Sequence, residues 1–242
     1  MARPPIKRIG RWLAASAGIL LLVAAGAVLL DRLFPPDLSR LADLSVLVED
    51  KDGVLLRAFT AKDGGWRLPV TVDEVDPRYR RMLLAYEDKR FESHWGVDPL
   101  ALLRAMGQFA TRGHVVSGAS TLTMQTARLL EPRPRTLGAK LIEMARAFQL
   151  EAHFDKDQIL AMYLTLAPYG GNLSGIRAAS RFYFGKEPGE LSDGEAALLV
   201  ALPQSPERFR PDRQPKAASA ARSRVLVRLQ AAGILTPATA AE

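Results

Sequence analysis

Two adjacent acids, Glu87 and Asp88, follow an amphipathic helical pattern within the stretch YEDKRFESHW, residues 86–95. A carboxylate held beside a substrate hydroxyl can act as a general base. The helix macrodipole disfavours acids in a last helical turn by about 0.3 kcal/mol or more, so another interaction must stabilise them there. The alternative is that both are solvated surface acids paired with Lys89 and Arg90.

The same stretch contains His94, one of only three histidines in the chain, three residues after Phe91. A lone histidine can be a hydrogen-bonded structural residue or a site residue, and both readings stay open here. A second polar cluster, GASTLTMQTARLL at 118–130, favours a site. Its apolar residues are too few and too unevenly spaced for an ordinary core helix. The groups able to donate or accept hydrogen bonds there are Ser120, Thr121, Thr123, Gln125 and Arg128.

Further charges follow this cluster. Arg135 lies seven residues after Arg128, and Lys140 and Glu143 are three apart, on one face of a predicted helix. Three cations and a second carboxylate are therefore close together, as a phosphate-bearing substrate requires. The alternative for Lys140 and Glu143 is a surface salt bridge that contributes about 0.5 kcal/mol.

The elements that must position these residues are mostly helical. Apolar residues recur at steps of three and four, and a capping box, Ser192 with Glu195, opens a helix that ends at Leu202. The segment 45–59 reads as two strands around a turn. The other predicted helices are 78–89, 137–153, 158–166 and 216–232. The sequence predicts a mainly α domain with one small β-hairpin.

The N-terminal region predicts a membrane anchor. Residues 12–30 carry no charge, and 19 residues in a helix span roughly the ~30 Å hydrocarbon core of a bilayer. Basic residues precede this segment without any acid, so the positive-inside rule places residues 1–11 in the cytoplasm and exports the rest. A cleaved signal peptide is the alternative. We expect an anchor at 12–33, a linker at 34–43 and a catalytic domain at 44–242, on the periplasmic or extracellular side of the cytoplasmic membrane.

Composition limits the classes of function. The 242 residues include no cysteine, which excludes a disulfide framework, a thiolate nucleophile and a thiolate metal site. The formal net charge is +7. An exported domain meets no nucleic acid, so this charge better suits lipid headgroups or lipid-linked phosphates.

Four ordered motifs together resemble those of the family 51 peptidoglycan glycosyltransferases, the N-terminal domain of class A penicillin-binding proteins. The resemblance runs from about Leu44 to Leu229, and the segments YLTLAPYGGNLSGIRAASRFYFGK (163–186) and EAALLVALPQSPERFRPDR (195–213) are most similar to the 1C subgroup. The motifs are Glu-Asp-x-x-Phe-x-x-His-x-Gly-x-Asp (87–98), Gly-x-Ser-Thr-x-Thr-x-Gln-x-x-Arg (118–128), Lys-x-x-Glu (140–143) and ILAMYL (159–164).

This resemblance implies a lysozyme-like, mainly helical fold of two lobes and polymerisation of lipid II into β-1,4-linked glycan with inversion. Glu87 would be the general base, and Glu143 a second carboxylate that positions Mg²⁺ or Mn²⁺ held partly by pyrophosphate. The leaving pyrophosphate would be stabilised by Arg128, Arg135, Lys140 and Arg104. Remaining substrate contacts would come from Asp88, Phe91, His94, Ser120, Thr121, Thr123 and Gln125, with residues 107–118 as a mobile flap over the donor site.

The partners implied are lipid II, the growing glycan-lipid chain, the cytoplasmic membrane and proteins of a cell-wall synthesis complex. The sequence contains neither Ser-x-x-Lys nor Lys-Thr-Gly, so we expect no transpeptidase activity from these residues. Two other classes stay open. One is a lysozyme-like hydrolase or lytic transglycosylase, which also uses two carboxylates. The other is an inactive membrane-anchored assembly module.

Overall fold

The computed structural model describes residues 16, 18, 21–22, 25–26, 28–52, 55–112 and 120–236. It divides into two compact units, Met1–Pro36 and Asp37–Glu242. None of the helices within the described ranges combines the length and the hydropathy needed to cross a bilayer. The predicted anchor, 12–33, includes positions outside those ranges and stays a prediction. The predicted cytoplasmic segment, 1–11, lies wholly outside them.

The second unit is mainly helical, as the periodicity of the sequence predicted. The helix that ends in the acid pair begins at Pro77, whose fixed φ suits a first helical position, and the Asp76 side chain caps it. The helices are α1 Ser39–Ala42, α2 Pro77–Glu87, α3 Pro99–Arg112, α4 Leu122–Leu130, α5 Leu137–His153, α6 Lys156–Leu166, α7 Ile176–Phe184, α8 Asp193–Ala201 and α9 Pro215–Ala231.

Two small sheets accompany the helices. Strands β1 (Val46–Glu49) and β2 (Leu55–Phe59) form the predicted antiparallel hairpin, with Val46 opposite Phe59. The second sheet was not predicted. In it β3 (Trp66–Arg67) pairs in parallel with β5 (Leu173–Ser174), which pairs antiparallel with β4 (Pro168–Gly170). Strands of two or three residues are too short to show an alternating pattern.

The core forms around α8, in which eight of nine residues are buried. A helix that is apolar on nearly every side belongs at the centre of a domain. It packs against α2 and α9. Tyr79, Met82 and Leu83 of α2 are fully buried in this core. The helix that ends at Glu87 is therefore fixed by packing along its length.

The end of α3 contains part of the segment predicted as a mobile flap. Residues 107–112, expected to begin a mobile flap, continue this helix, while residues 113–119 lie outside the described ranges. The Asp98 carboxylate accepts hydrogen bonds from the Leu100 and Ala101 N–H groups and so caps the start of the helix. Leu102, Ala105 and Met106 are strong helix formers, which outweigh the cost of about 1 kcal/mol for Gly107.

Candidate active site

A cleft of about 710 Å³ opens where α2 ends, beside the beginning of α4. It collects side chains from both polar clusters of the sequence and from the C-terminal helix. Its walls are formed by Tyr86, Glu87, Asp88, Lys89, Arg90, Asp98, Ala101, Arg104, Ser120, Thr121, Gln125, Arg128, Gln204 and Arg228. Seven of the thirteen predicted site residues are among them: Glu87, Asp88, Arg104, Ser120, Thr121, Gln125 and Arg128.

Glu87 is the last residue of α2, and two neutral amides hold its carboxylate. The Nε2 of Gln125 donates to Oε2 at 3.1 Å, and the Nε2 of Gln204 donates to Oε1 at 2.8 Å. The alternative in which Glu87 pairs with a neighbouring cation is not found among the described residues. Arg90 instead binds Asp98, at 2.7 Å from Nη2 to Oδ1.

Asp88 is buried and links the end of α2 to the start of α4. Its Oδ2 accepts a hydrogen bond from the Leu122 N–H at 2.9 Å and lies 2.9 Å from Nε2 of His94. A carboxylate at the first N–H groups of a helix is favoured by the helix dipole. The acid at position 88, at the unfavourable end of one helix, thus lies at the favourable end of another.

Phe91 and His94, which were predicted to contact substrate, are not among the residues that line the cleft. They are 1 % and 6 % exposed and lie behind the wall formed by Asp88. Lys156 contacts both residues: its Nζ lies 4.7 Å from the centre of the Phe91 ring and donates to the His94 carbonyl at 2.6 Å. These two aromatic residues support the acid pair.

Thr121 and Thr123 serve the start of α4 in different ways. Thr121 caps the helix by accepting from the Met124 N–H at 3.1 Å, and its Oγ1 donates to the Gly96 carbonyl at 2.5 Å. Thr123 is fully buried and donates to Oε1 of Glu151 at 2.7 Å. Thr123, which was predicted to contact substrate, is thus hydrogen-bonded within the protein and does not line the cleft.

Glu143 is buried beside the cleft and is paired with cations. Lys140 Nζ lies 3.1 Å from its Oε2, and Arg128 Nη1 lies 3.9 Å from its Oε1. Lys140 also donates to the Ser120 hydroxyl, at 2.5 Å. Neither Lys140 nor Glu143 lines the cleft, but both contact residues that do. Lys140 and Glu143 do form the salt bridge of the alternative, but its carboxylate is buried, since Glu143 is only 7 % exposed.

Arg135 is the one predicted cation that lies apart from this group. It is exposed in the connection between α4 and α5 and does not line the cleft. The cleft is nevertheless electropositive, since five cationic residues face three carboxylates within its lining. Such a surface attracts anionic ligands. The cations are Lys89, Arg90, Arg104, Arg128 and Arg228, and the acids are Glu87, Asp88 and Asp98.

Asp98 and Arg90 stiffen the rim of the cleft. Burial raises the pKa of Asp98, but the Ala101 N–H and the Arg90 guanidinium favour the charged form more, so its pKa lies below the usual value. The ion pair is therefore present at neutral pH. It fixes the loop after the acid pair to the first turn of α3.

Two residues of the cleft that lie far from Glu87 in the sequence were missed by the sequence reasoning. Gln204 ends a 3₁₀ turn, Leu202–Gln204, directly after α8. Arg228 comes from α9, stacks on the Tyr86 ring at 4.4 Å and donates to the Tyr86 carbonyl at 3.3 Å. Both are more than 100 residues from Glu87 in sequence, so no local spacing could place them beside it.

The residues around Glu143 do not by themselves suit a divalent cation. Among the described residues, no three histidine or acidic side chains are grouped as metal ligands. Glu143 supplies one carboxylate, and two cations already lie beside it. Mg²⁺ and Mn²⁺ prefer several oxygen ligands. Any ion at this place would depend on oxygens of a bound phosphate.

Comparison with known proteins places most of the chain in one family. A family model described as Transglycosylase matches residues 52–230. Penicillin-binding protein 1C of Escherichia coli K12 is 49 % identical over 227 residues, which are 93 % of this chain and 29 % of that protein. Penicillin-binding protein 1A of Aquifex aeolicus VF5 is 39 % identical over 172 residues, or 71 % of this chain and 24 % of that protein.

A solved structure of penicillin-binding protein 1A from Haemophilus influenzae is similar with a TM-score of 0.44 and 18 % identity, over 82 % of this chain and 20 % of that chain. This chain spans less than a third of the length of the two curated relatives above.

Proposed function

Since the chain belongs to the transglycosylase family, glycosyltransferase family 51, we propose that it polymerises lipid II into β-1,4-linked glycan and releases undecaprenyl pyrophosphate. One observation carries the proposal most directly. The Glu87 carboxylate lies in the same cleft as a group of fixed cations, and the cleft volume of about 710 Å³ suits a sugar joined to a diphosphate.

Glu87 is assigned the role of general base. The acceptor's 4-hydroxyl is a very weak acid, so its proton must leave as its oxygen bonds to the anomeric carbon. The two amides leave acceptor positions on both carboxylate oxygens, since an ionised carboxylate has about four. The proton passes to Glu87 as the new glycosidic bond forms on the face opposite the leaving group, which inverts the anomeric carbon.

The cations are assigned to the leaving group. As the bond from the anomeric carbon to the phosphate oxygen breaks, its electron pair stays with the pyrophosphate, and charges fixed in advance stabilise the growing anion. Arg128 and Arg104 line the cleft. Lys140 donates a hydrogen bond to Ser120, which lines the cleft. Arg135, exposed in the connection between α4 and α5, is proposed to contact the phosphates when substrate is bound.

A divalent cation stays part of the proposal in a limited form. The ion would bind Glu143 together with phosphate oxygens of the substrate, and it would add positive charge beside the leaving group. The arrangement of Lys140 and Arg128 around Glu143 also supports a second role. In that role the carboxylate holds both cations in place for the phosphate.

The cations of the cleft also favour a glycosyltransferase over a hydrolase. A hydrolase that releases a neutral sugar alcohol has no use for five cations in its cleft, whereas a diphosphate leaving group does. We further propose that the domain acts at the outer face of the cytoplasmic membrane, held by the anchor predicted at 12–33. The lysozyme-like arrangement in two lobes belongs to the same proposal.

The direct test is polymerisation of labelled lipid II by the detergent-solubilised chain, with polymer separated from monomer, in the presence and absence of moenomycin, the inhibitor of this family. We expect polymer from the parent chain and none from Glu87→Gln, which keeps the shape of the side chain and one of the two amide contacts but cannot accept the proton. Polymer formed by Glu87→Gln near the parent rate would remove Glu87 from the role of base. Absence of polymer from a folded parent chain would contradict the proposed function.

A further inference from the structure

The contacts of Glu87 point to a second residue that the reaction needs. Gln204 donates to one carboxylate oxygen of Glu87 at 2.8 Å, while Gln125 donates to the other at 3.1 Å. The two amides come from separate elements, so the carboxylate cannot rotate without breaking at least one hydrogen bond. Its plane is therefore fixed from two sides.

Gln204 is well placed for this task because its backbone belongs to the core. It ends the 3₁₀ turn that continues α8, and Leu202, at the start of that turn, is fully buried. Pro203 restricts the backbone within the turn. The amide itself is exposed at the rim of the cleft. A rigid backbone thus carries a side chain whose described hydrogen bond goes to Glu87.

The neutrality of both donors matters in this cleft. Five cationic residues line it, yet no ion pair to Glu87 is found among the described residues. A guanidinium or ammonium group on the carboxylate would hold it in an ion pair and weaken its attraction for the hydroxyl proton. An amide orients the carboxylate without adding a charge.

We propose that Gln204 is a positioning residue for the catalytic base, which aims a free acceptor position of Glu87 at the substrate hydroxyl. This inference rests on the proposed function, since it needs Glu87 to act as the base. Gln204 acts through Glu87 and makes no contact with the reacting atoms. Its loss should slow turnover and leave the affinity for lipid II nearly unchanged.

Two substitutions test the proposal. Gln204→Met keeps the length of the side chain and removes the donor, and Gln204→Lys keeps a donor but adds a charge. Gln230→Met is the matched control, because Gln230 is exposed on α9 and does not line the cleft. For each variant, kcat and KM for lipid II are measured per folded site, counted by titration with moenomycin, together with the melting temperature.

We expect both Gln204 variants to lose roughly tenfold or more in kcat, with KM within about threefold of the parent and the melting temperature preserved. The Lys variant decides between positioning and a purely structural role, since a structural hydrogen bond would be kept by lysine. A kcat near the parent value in either Gln204 variant, or an equal loss in Gln230→Met, would overturn the inference.

The proposed function is judged separately. A parent chain that polymerises lipid II while Glu87→Gln does not would support the base whatever the Gln204 variants show. The Gln204 results then decide only whether this amide positions it.

Discussion

Replacing Asp88 by Asn should lower the free energy of unfolding by about 2 kcal/mol. Asp88 is 6 % exposed, and its carboxylate accepts hydrogen bonds from the Leu122 N–H and from Nε2 of His94. Asparagine keeps one carbonyl oxygen, which suffices for Leu122. The contact with His94 loses its charged acceptor, and a hydrogen bond to a charged group is worth about 1.5–3 kcal/mol.

The histidine cannot easily compensate. Its Nδ1 is buried without a hydrogen-bond partner, so moving the ring proton from Nε2 to Nδ1 would leave an N–H unsatisfied. Turnover should also fall by roughly tenfold or more, because Asp88 ties the helix that ends at Glu87 to the helix that carries Gln125 and Arg128.

The measurement is urea unfolding of the detergent-solubilised chain, followed by circular dichroism at neutral pH, for Asp88→Asn and for Asp73→Asn. Asp73 is exposed, and its substitution should change the unfolding free energy by less than about 0.5 kcal/mol. If Asp88→Asn unfolds within about 0.5 kcal/mol of the parent chain, the buried link between α2 and α4 does not stabilise the domain as described.

Two further predictions concern acids elsewhere in the domain. Glu143→Gln should cut turnover roughly tenfold or more and change its dependence on Mg²⁺; activity unchanged in chelator would contradict the proposed metal ion. The Thr71 N–H, followed by Arg177, lowers the pKa of Glu74 from 4.5 to about 2, so the folded state gains stability above pH 4.5 and loses it as pH falls toward 2. Glu74→Gln should therefore lower the free energy of unfolding by about 1 kcal/mol at pH 7, a value that is reduced because the Glu74 side chain is 45 % exposed. At pH 2 the substitution should have little effect. Thermal unfolding at the two pH values is the measurement.

The long helices could be predicted from sequence because their signals are local. The bounds of α5, Leu137–His153, agree with the prediction, and Ser192 with Glu195 forms the expected capping box. The start of α6 came two residues earlier than predicted, since Asp155 caps it together with Gln158. The small sheet of β3, β4 and β5 was missed because its strands have only two or three residues, and because β3 pairs with β5 across more than 100 residues.

The site could be predicted only in part. The motifs grouped Glu87, Gln125 and Arg128 correctly in one cleft, but they could not give the direction of each side chain. Thr123 and Gln125 are two residues apart, so they lie on different faces of α4, and only Gln125 lines the cleft. Gln204 and Arg228 needed the tertiary fold, because packing of α8 and α9 brings them to the cleft.

The packing of α2 against α8 has a consequence for the order of events during synthesis. The apolar face of α2 is buried by a helix that begins more than 100 residues later. While the chain emerges from the ribosome, the face of α2 that carries Tyr79, Met82 and Leu83 lacks its packing against α8 until Asp193–Ala201 has been made. Glu87 gains its hydrogen bond from Gln204 only after residue 204 has been added to the chain. A shorter nascent chain thus holds the motif residues without an assembled cleft.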